Sequence, residues 1–180
     1  MSSGSDQDPV VSIVRIEQII VGTLIGGVLI MLLVGHFAIK PQPQAGQPII
    51  TYMAITYSVM ALGLSIMVAR LTITAGLRAL ARRSAREQPS TQPGSRNQAQ
   101  DTLDLAQLHR TKTIVAAALL EGAAMFDAVA YCVEGSPLGV AGALVLVIAL
   151  GISLPTLLAL EAWIDIHREK LEEERVAASS

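Results

Sequence analysis

The stretch Ile19-Ile20-Val21-Gly22-Thr23-Leu24-Ile25-Gly26-Gly27-Val28-Leu29-Ile30-Met31-Leu32-Leu33-Val34-Gly35 decides how this chain is read. It holds no charge, and its one polar side chain is a threonine. With His36, Phe37, Ala38 and Ile39 it reaches the roughly 20 residues that a helix needs to cross a bilayer. In lipid only a helix or a closed barrel satisfies every backbone N–H and C=O. The stretch lacks the polar–apolar alternation of a barrel strand. It is also longer than the roughly 7–15 apolar residues of a signal peptide, and His36 stands where a small residue would precede cleavage near Ala38. A retained membrane span over Ile19 to Ile39 is the expectation.

Working outward, three more apolar stretches follow, from Ile49 to Ala69, Thr113 to Val133 and Leu138 to Leu160. The last two are joined by Glu134-Gly135-Ser136-Pro137, whose glycine, serine and proline compose a turn. The third stretch is the least apolar, because Glu121 and Asp127 each cost up to about 3 kcal/mol near the bilayer centre on insertion scales. Entering as a hairpin with the fourth, it shares that cost. The composition agrees: 52% of residues are hydrophobic but only 3% aromatic. A water-soluble core this apolar would use more Phe, Tyr and Trp. Alanine, leucine, isoleucine, valine and glycine instead suit helices packed against one another in lipid.

The net charge of −2 hides a segregation, since charged residues crowd into 70–112 and 161–175. Arg70, Arg78, Arg82, Arg83 and Arg86 form a basic patch after the second stretch, and Arg96, Arg110 and Lys112 extend it. The tail adds Arg168, Lys170 and Arg175, the head Arg15, and the loop between the first two stretches only Lys40. The positive-inside rule puts head, central loop and tail in the cytoplasm. The expected architecture is therefore all-α and polytopic, with four transmembrane helices in two hairpins, N-in and C-in, in a bacterial inner membrane. Its parts are a head without fixed structure (1–15), a first hairpin (16–70), a basic cytoplasmic loop (71–112), a second hairpin (113–162) and a charged helical tail (163–180). Within the loop, 70–86 reads as a basic amphipathic extension of the second helix. Residues 88–100 read as a linker, and 101–110 as a short helix with Asp101 as N-cap.

Ionisable groups inside a membrane are the first candidates for function. Glu121 and Asp127 lie roughly 12 Å and 21 Å in from the cytoplasmic end of their helix, about 120° apart around it. They suit two separate stations for a proton or a cation rather than a shared-proton pair. They equally suit two packing ties between helices. Ser153 lies near the depth of Glu121, and Pro155 frees the carbonyl of Gly151 one turn back. His36, with Thr56 and Tyr57, lies near the depth of Asp127, so a His–Asp–Tyr network is expected there. Gly22 and Gly26 form a G-x-x-x-G, and Ala54 and Ser58 belong to a small-residue stripe, both of which favour close helix packing. Tyr52 and Trp163 fall at opposite boundaries as interfacial anchors.

The run Ala118-Leu119-Leu120-Glu121-Gly122 resembles the carboxylate helix of the proteolipid c subunits of rotary ATP synthases, over these few residues of one span. That family's first helix repeats glycine at every second position. This chain lacks the repeat, has four spans and carries a second acid, so no rotor role is carried over. The layout resembles that of small four-helix proteins of bacterial inner membranes. No enzyme is expected: no phosphate-binding glycine loop is present, no Cys/His set has metal spacing, and His109 and His167 lack partners at such spacing. Cys132, the single cysteine, excludes an internal disulfide and reads as a small apolar residue. No cofactor and no nucleic acid are expected. The expected partners are the bilayer, further copies or a larger membrane complex, and a protein bound on the cytoplasmic side. An accessory or structural membrane subunit is the leading reading, and an oligomeric proton- or cation-linked transporter the alternative.

Overall fold

A computed structural model describes residues 9–39, 47–87 and 95–179, and among these the only regular structure is helix. Helix α1 spans Pro9–Val34 and ends in a π-helical turn, Gly35–Ile39. Helices α2 (Ile49–Glu87), α3 (Ser95–Glu134), α4 (Pro137–Ile152) and α5 (Leu157–Ser179) follow. Three helices are long and apolar enough to cross a membrane, and a fourth span results if α4 and α5 count as one bent element. This is the pattern of a multi-pass membrane protein.

The fourth apolar stretch is not straight. The axes of α4 and α5 differ by 69° across the break at Pro155. Proline has no N–H to give, and its ring crowds the carbonyl one turn back. The last turn of α4 tightens before it: Ser153 N–H bonds to Ala149 and Leu150, and Leu154 N–H to Gly151 O at 3.2 Å. The Gly151 carbonyl expected to be freed is thus already taken. A second difference lies in the central segment. The helix expected to start at Asp101 starts at Ser95 and runs without a break into the third apolar stretch. Asp101 is an interior residue of that helix and not its cap. The head before Pro9, the loop at 40–46 and the linker at 88–94 lie outside the described residues.

Two units divide the chain. The apolar unit comprises Gln18–Ala69 and Ile114–Leu154. Each of its helices presents a seam at alternating steps of three and four. On α1 the seam is Val21, Leu24, Val28, Met31 and Gly35, and on α2 it is Thr51, Ala54, Ser58, Ala61 and Ser65. On α3 it is Ala117, Leu120, Ala124, Asp127, Tyr131 and Glu134, and on α4 Gly139, Ala143, Leu146 and Leu150. Of these, only Leu24, Met31 and Tyr131 are not fully buried. Steps of 3.5 on average keep one stripe facing its partners when helices wind left-handedly around each other. The α2 stripe is made of small residues, so α3 can lie close against it. Two contacts fix the register: Ser58 meets Asp127, and Thr51 meets Glu134. Seven residues back on α2 correspond to seven forward on α3, so the pair is antiparallel. Gly135, with φ of 66°, makes the reversal into α4 in a conformation that favours glycine.

The other unit comprises Met1–Glu17, Arg70–Thr113 and Pro155–Ser180. Its core is Val14 of α1, Leu77 of α2, Leu105 and Ala106 of α3, and Leu160, Ile164 and Leu171 of α5. Gly76 lies directly beneath the Leu108 side chain, which fills the space a Cβ would take. Arg168 donates to Thr102 Oγ1 at 3.0 Å, tying α5 to α3.

Candidate functional site

In the apolar unit, Asp127 is fully buried. Ser58 donates to its Oδ2 at 2.8 Å, and its Oδ1 has no partner among the described residues. The carboxyl group rests on Gly142 of α4: a Cβ built there would stand 2.6 Å from Oδ2. Gly139, one turn earlier, does the same for the backbone, 2.9 Å from Asp127 O. Two glycines thus make the space that lets a polar side chain and its helix settle against α4.

Glu134, the last residue of α3, is a functional group that composition alone placed in a turn. Its Oε1 accepts from Ile50 N–H at 2.7 Å, and its Oε2 from Thr51 N–H at 2.8 Å and Thr51 Oγ1 at 2.7 Å. The first N–H groups of a helix have no partner within it. A carboxylate there meets those donors and the positive end of the helix dipole. α2 is preceded by Gln47-Pro48, with no Ser, Thr, Asp or Asn there to cap its first turn. That gap is the sequence signal for a cap supplied from elsewhere in the chain.

The network expected between His36, Asp127 and Tyr57 is divided among other partners. His36 Nδ1 lies 3.1 Å from the Tyr131 hydroxyl. Tyr57 packs edge-on against Phe126, ring centroids 5.9 Å apart. Thr56 donates to Tyr52 O within its own helix. Glu121 is half-buried, with no hydrogen bond among the described residues. Ser153 is exposed and donates to Ala149 O. Pro155 is buried at the break.

Ala54 and Ser58 sit in the buried α2 seam. Among the described residues, a Cβ at Gly22 or Gly26 would meet nothing within 4 Å. The same holds for Gly27, Gly63, Gly122 and Gly151. Tyr52 is exposed on α2. Arg70, Arg78 and Arg82 are exposed, while the side chains of Arg83 and Arg86 lie outside the described ones. Arg70 and Glu161, both at the ends of their apolar stretches, are exposed and form no ion pair with each other.

In the other unit Trp163 is half-buried within a cluster of its own. His167 stacks on its ring at 4.0 Å, His109 meets it edge-on at 5.1 Å, and the Lys112 ammonium lies 5.8 Å from its centre. His109 Nδ1 is 3.8 Å from Oε2 of Glu17, a fully buried residue of α1. Both carboxylate oxygens of Glu17 and Nδ1 of His109 are buried without a hydrogen bond among the described residues. Glu17 follows Val14 by three residues and precedes Val21 by four, so the seam spacing places it inward. No group of three or more His, Cys, Asp or Glu side chains suited to a metal ion occurs among the described residues. Comparison with protein-family profiles, curated proteins and solved structures finds no match.

Proposed function

We propose that this chain is an accessory subunit of an inner-membrane complex. It crosses the bilayer four times with both ends in the cytoplasm, and it binds another membrane helix through the glycine face of α1. The observation that carries the reading is the open surface at Gly22, Gly26 and Gly27. A glycine in a helix interior costs about 1 kcal/mol relative to alanine in a soluble host. Among the described residues, nothing packs close against the three glycines that fall within six residues of α1. A backbone with no side chain is useful where a second helix approaches closely in lipid. The arrangement of the acids supports the same reading: Glu134 is consumed as a helix cap, and Asp127 is held between Ser58 and Gly142. The arginines of α2 and the charged α5 supply the surface for a cytoplasmic partner. No substrate enters this account, and no catalytic step.

A transporter is the second reading, favoured by the unmatched Oδ1 of Asp127 and by the half-buried Glu121. The two part in one experiment. The protein is purified from its own membrane in mild detergent, and separately reconstituted alone in vesicles under a pH gradient. The accessory reading expects a complex of fixed stoichiometry and no proton flux above empty vesicles. Flux that disappears in Asp127→Asn or Glu121→Gln overturns it in favour of transport.

A further inference from the structure

We infer that Glu17 and His109 together form a proton-binding site, which ties the start of α1 to α3 when it holds its proton. The observation is a pair of buried polar groups that lack hydrogen bonds yet face one another at 3.8 Å. A carboxylate with no exposure and no donor is costly unless a positive charge or a proton answers it. The imidazole is the nearest group able to do so, and imidazole exchanges its proton near neutral pH. A proton taken from water onto Nδ1 turns the contact into an ion pair, imidazolium facing carboxylate at 3.8 Å. Its release to water leaves Glu17 facing a neutral ring. The inference is independent of the proposed association through α1.

The groups around the pair favour a proton over a metal ion. On α3, Lys112 is close enough for its charge to act on Glu17, and it repels a divalent cation. On α5, one His167 ring nitrogen is committed to the Trp163 carbonyl at 2.8 Å and the ring stacks on the indole, with the charges of Lys170, Lys112 and His109 all within range of it. From α2, this core receives Ile73, Leu77 and Leu80, none of which titrates. Two ligands without a third are too few for a metal centre.

Trp163 is the chain's only tryptophan, and His109 touches it, so the site carries its own reporter. A protonated imidazole quenches indole emission more than a neutral one. The emission of the full chain in detergent is followed from about pH 5 to 9, beside Glu17→Gln, His109→Gln and His167→Gln. The expected result is one sigmoidal loss of emission on acidification that persists in His167→Gln and vanishes in His109→Gln. The transition is altered in Glu17→Gln, which removes the charge that the ring faces at 3.8 Å. Glu17→Gln keeps the shape and removes an unmatched buried charge, so it decides alone if His109→Gln does not fold. No transition in the parent, a transition lost in His167→Gln, or a transition unchanged in Glu17→Gln overturns the inference.

Discussion

At the scale of single residues, Asp127 is the group with most to lose. It is fully buried in a span, and one hydroxyl answers it. Removing that hydroxyl leaves both oxygens without a donor among the described residues, and a buried acceptor stripped of its partner costs about 1–3 kcal/mol. Ser58→Ala should therefore lower the thermal unfolding temperature in detergent clearly. Asp127→Asn, which keeps an acceptor for Ser58, should lower it less. Equal, negligible effects would show that the bond contributes nothing to stability. Asp127 was legible from sequence as a buried polar group, but its partner was not. A depth ruler along two helices gives a partner's level to within about a residue, and one residue turns a helix by about 100°. The ruler pointed at Tyr57, and the hydroxyl that reaches the carboxyl group is on the next residue, Ser58. Glu17 escaped notice because no apolar stretch contains it. The 3–4 spacing from Val14 to Val21 was the signal available.

At the scale of elements, the glycines separate into two kinds that sequence alone does not distinguish. At Gly139 a Cβ would press on the backbone of α3, 2.9 Å from Asp127 O and 3.1 Å from Tyr131 N. Backbone cannot step aside as a side-chain end can, so α4 would have to move. Gly139→Ala should cost about 1–3 kcal/mol, the usual range for overpacking. Gly22→Ala should be neutral or mildly stabilising in the isolated chain, because the space is open and alanine is the better helix former. Unfolding of the two variants side by side checks the contrast, and a Gly139→Ala variant as stable as the parent would remove the close α3–α4 approach from the account. The helices themselves were readable from apolar length, since lipid leaves the backbone little choice. The bend at Pro155 was not, because a proline in a span can be absorbed as a mild kink or open into a full break. The unbroken α3 was hidden for a related reason. Gln, Asn and Ser at 95–100 suit a linker by composition, yet the helix continues through them.

At the scale of the whole chain, the division into an apolar and a charged unit follows the segregation of charge along the sequence. Arginines, lysines and acids lie almost entirely in the segments that form the second unit, and the apolar unit keeps only His36, Lys40, Glu121, Asp127 and Glu134 among its titratable members beyond tyrosine and cysteine. Of these acids, two are bound to neighbours and the third is half-buried. Outward-facing glycines are a feature of the apolar unit that packing among the described residues leaves unexplained, and the proposed association rests on them. The most direct test compares the parent with a Gly22→Leu, Gly26→Leu double variant in lipid nanodiscs, and in complexes recovered from the native membrane. Thermal unfolding of the isolated chain serves as the control for folding. The account predicts that the double variant melts at or above the parent's temperature while losing most of its association. A variant that associates as well as the parent, with its fold intact, would contradict it.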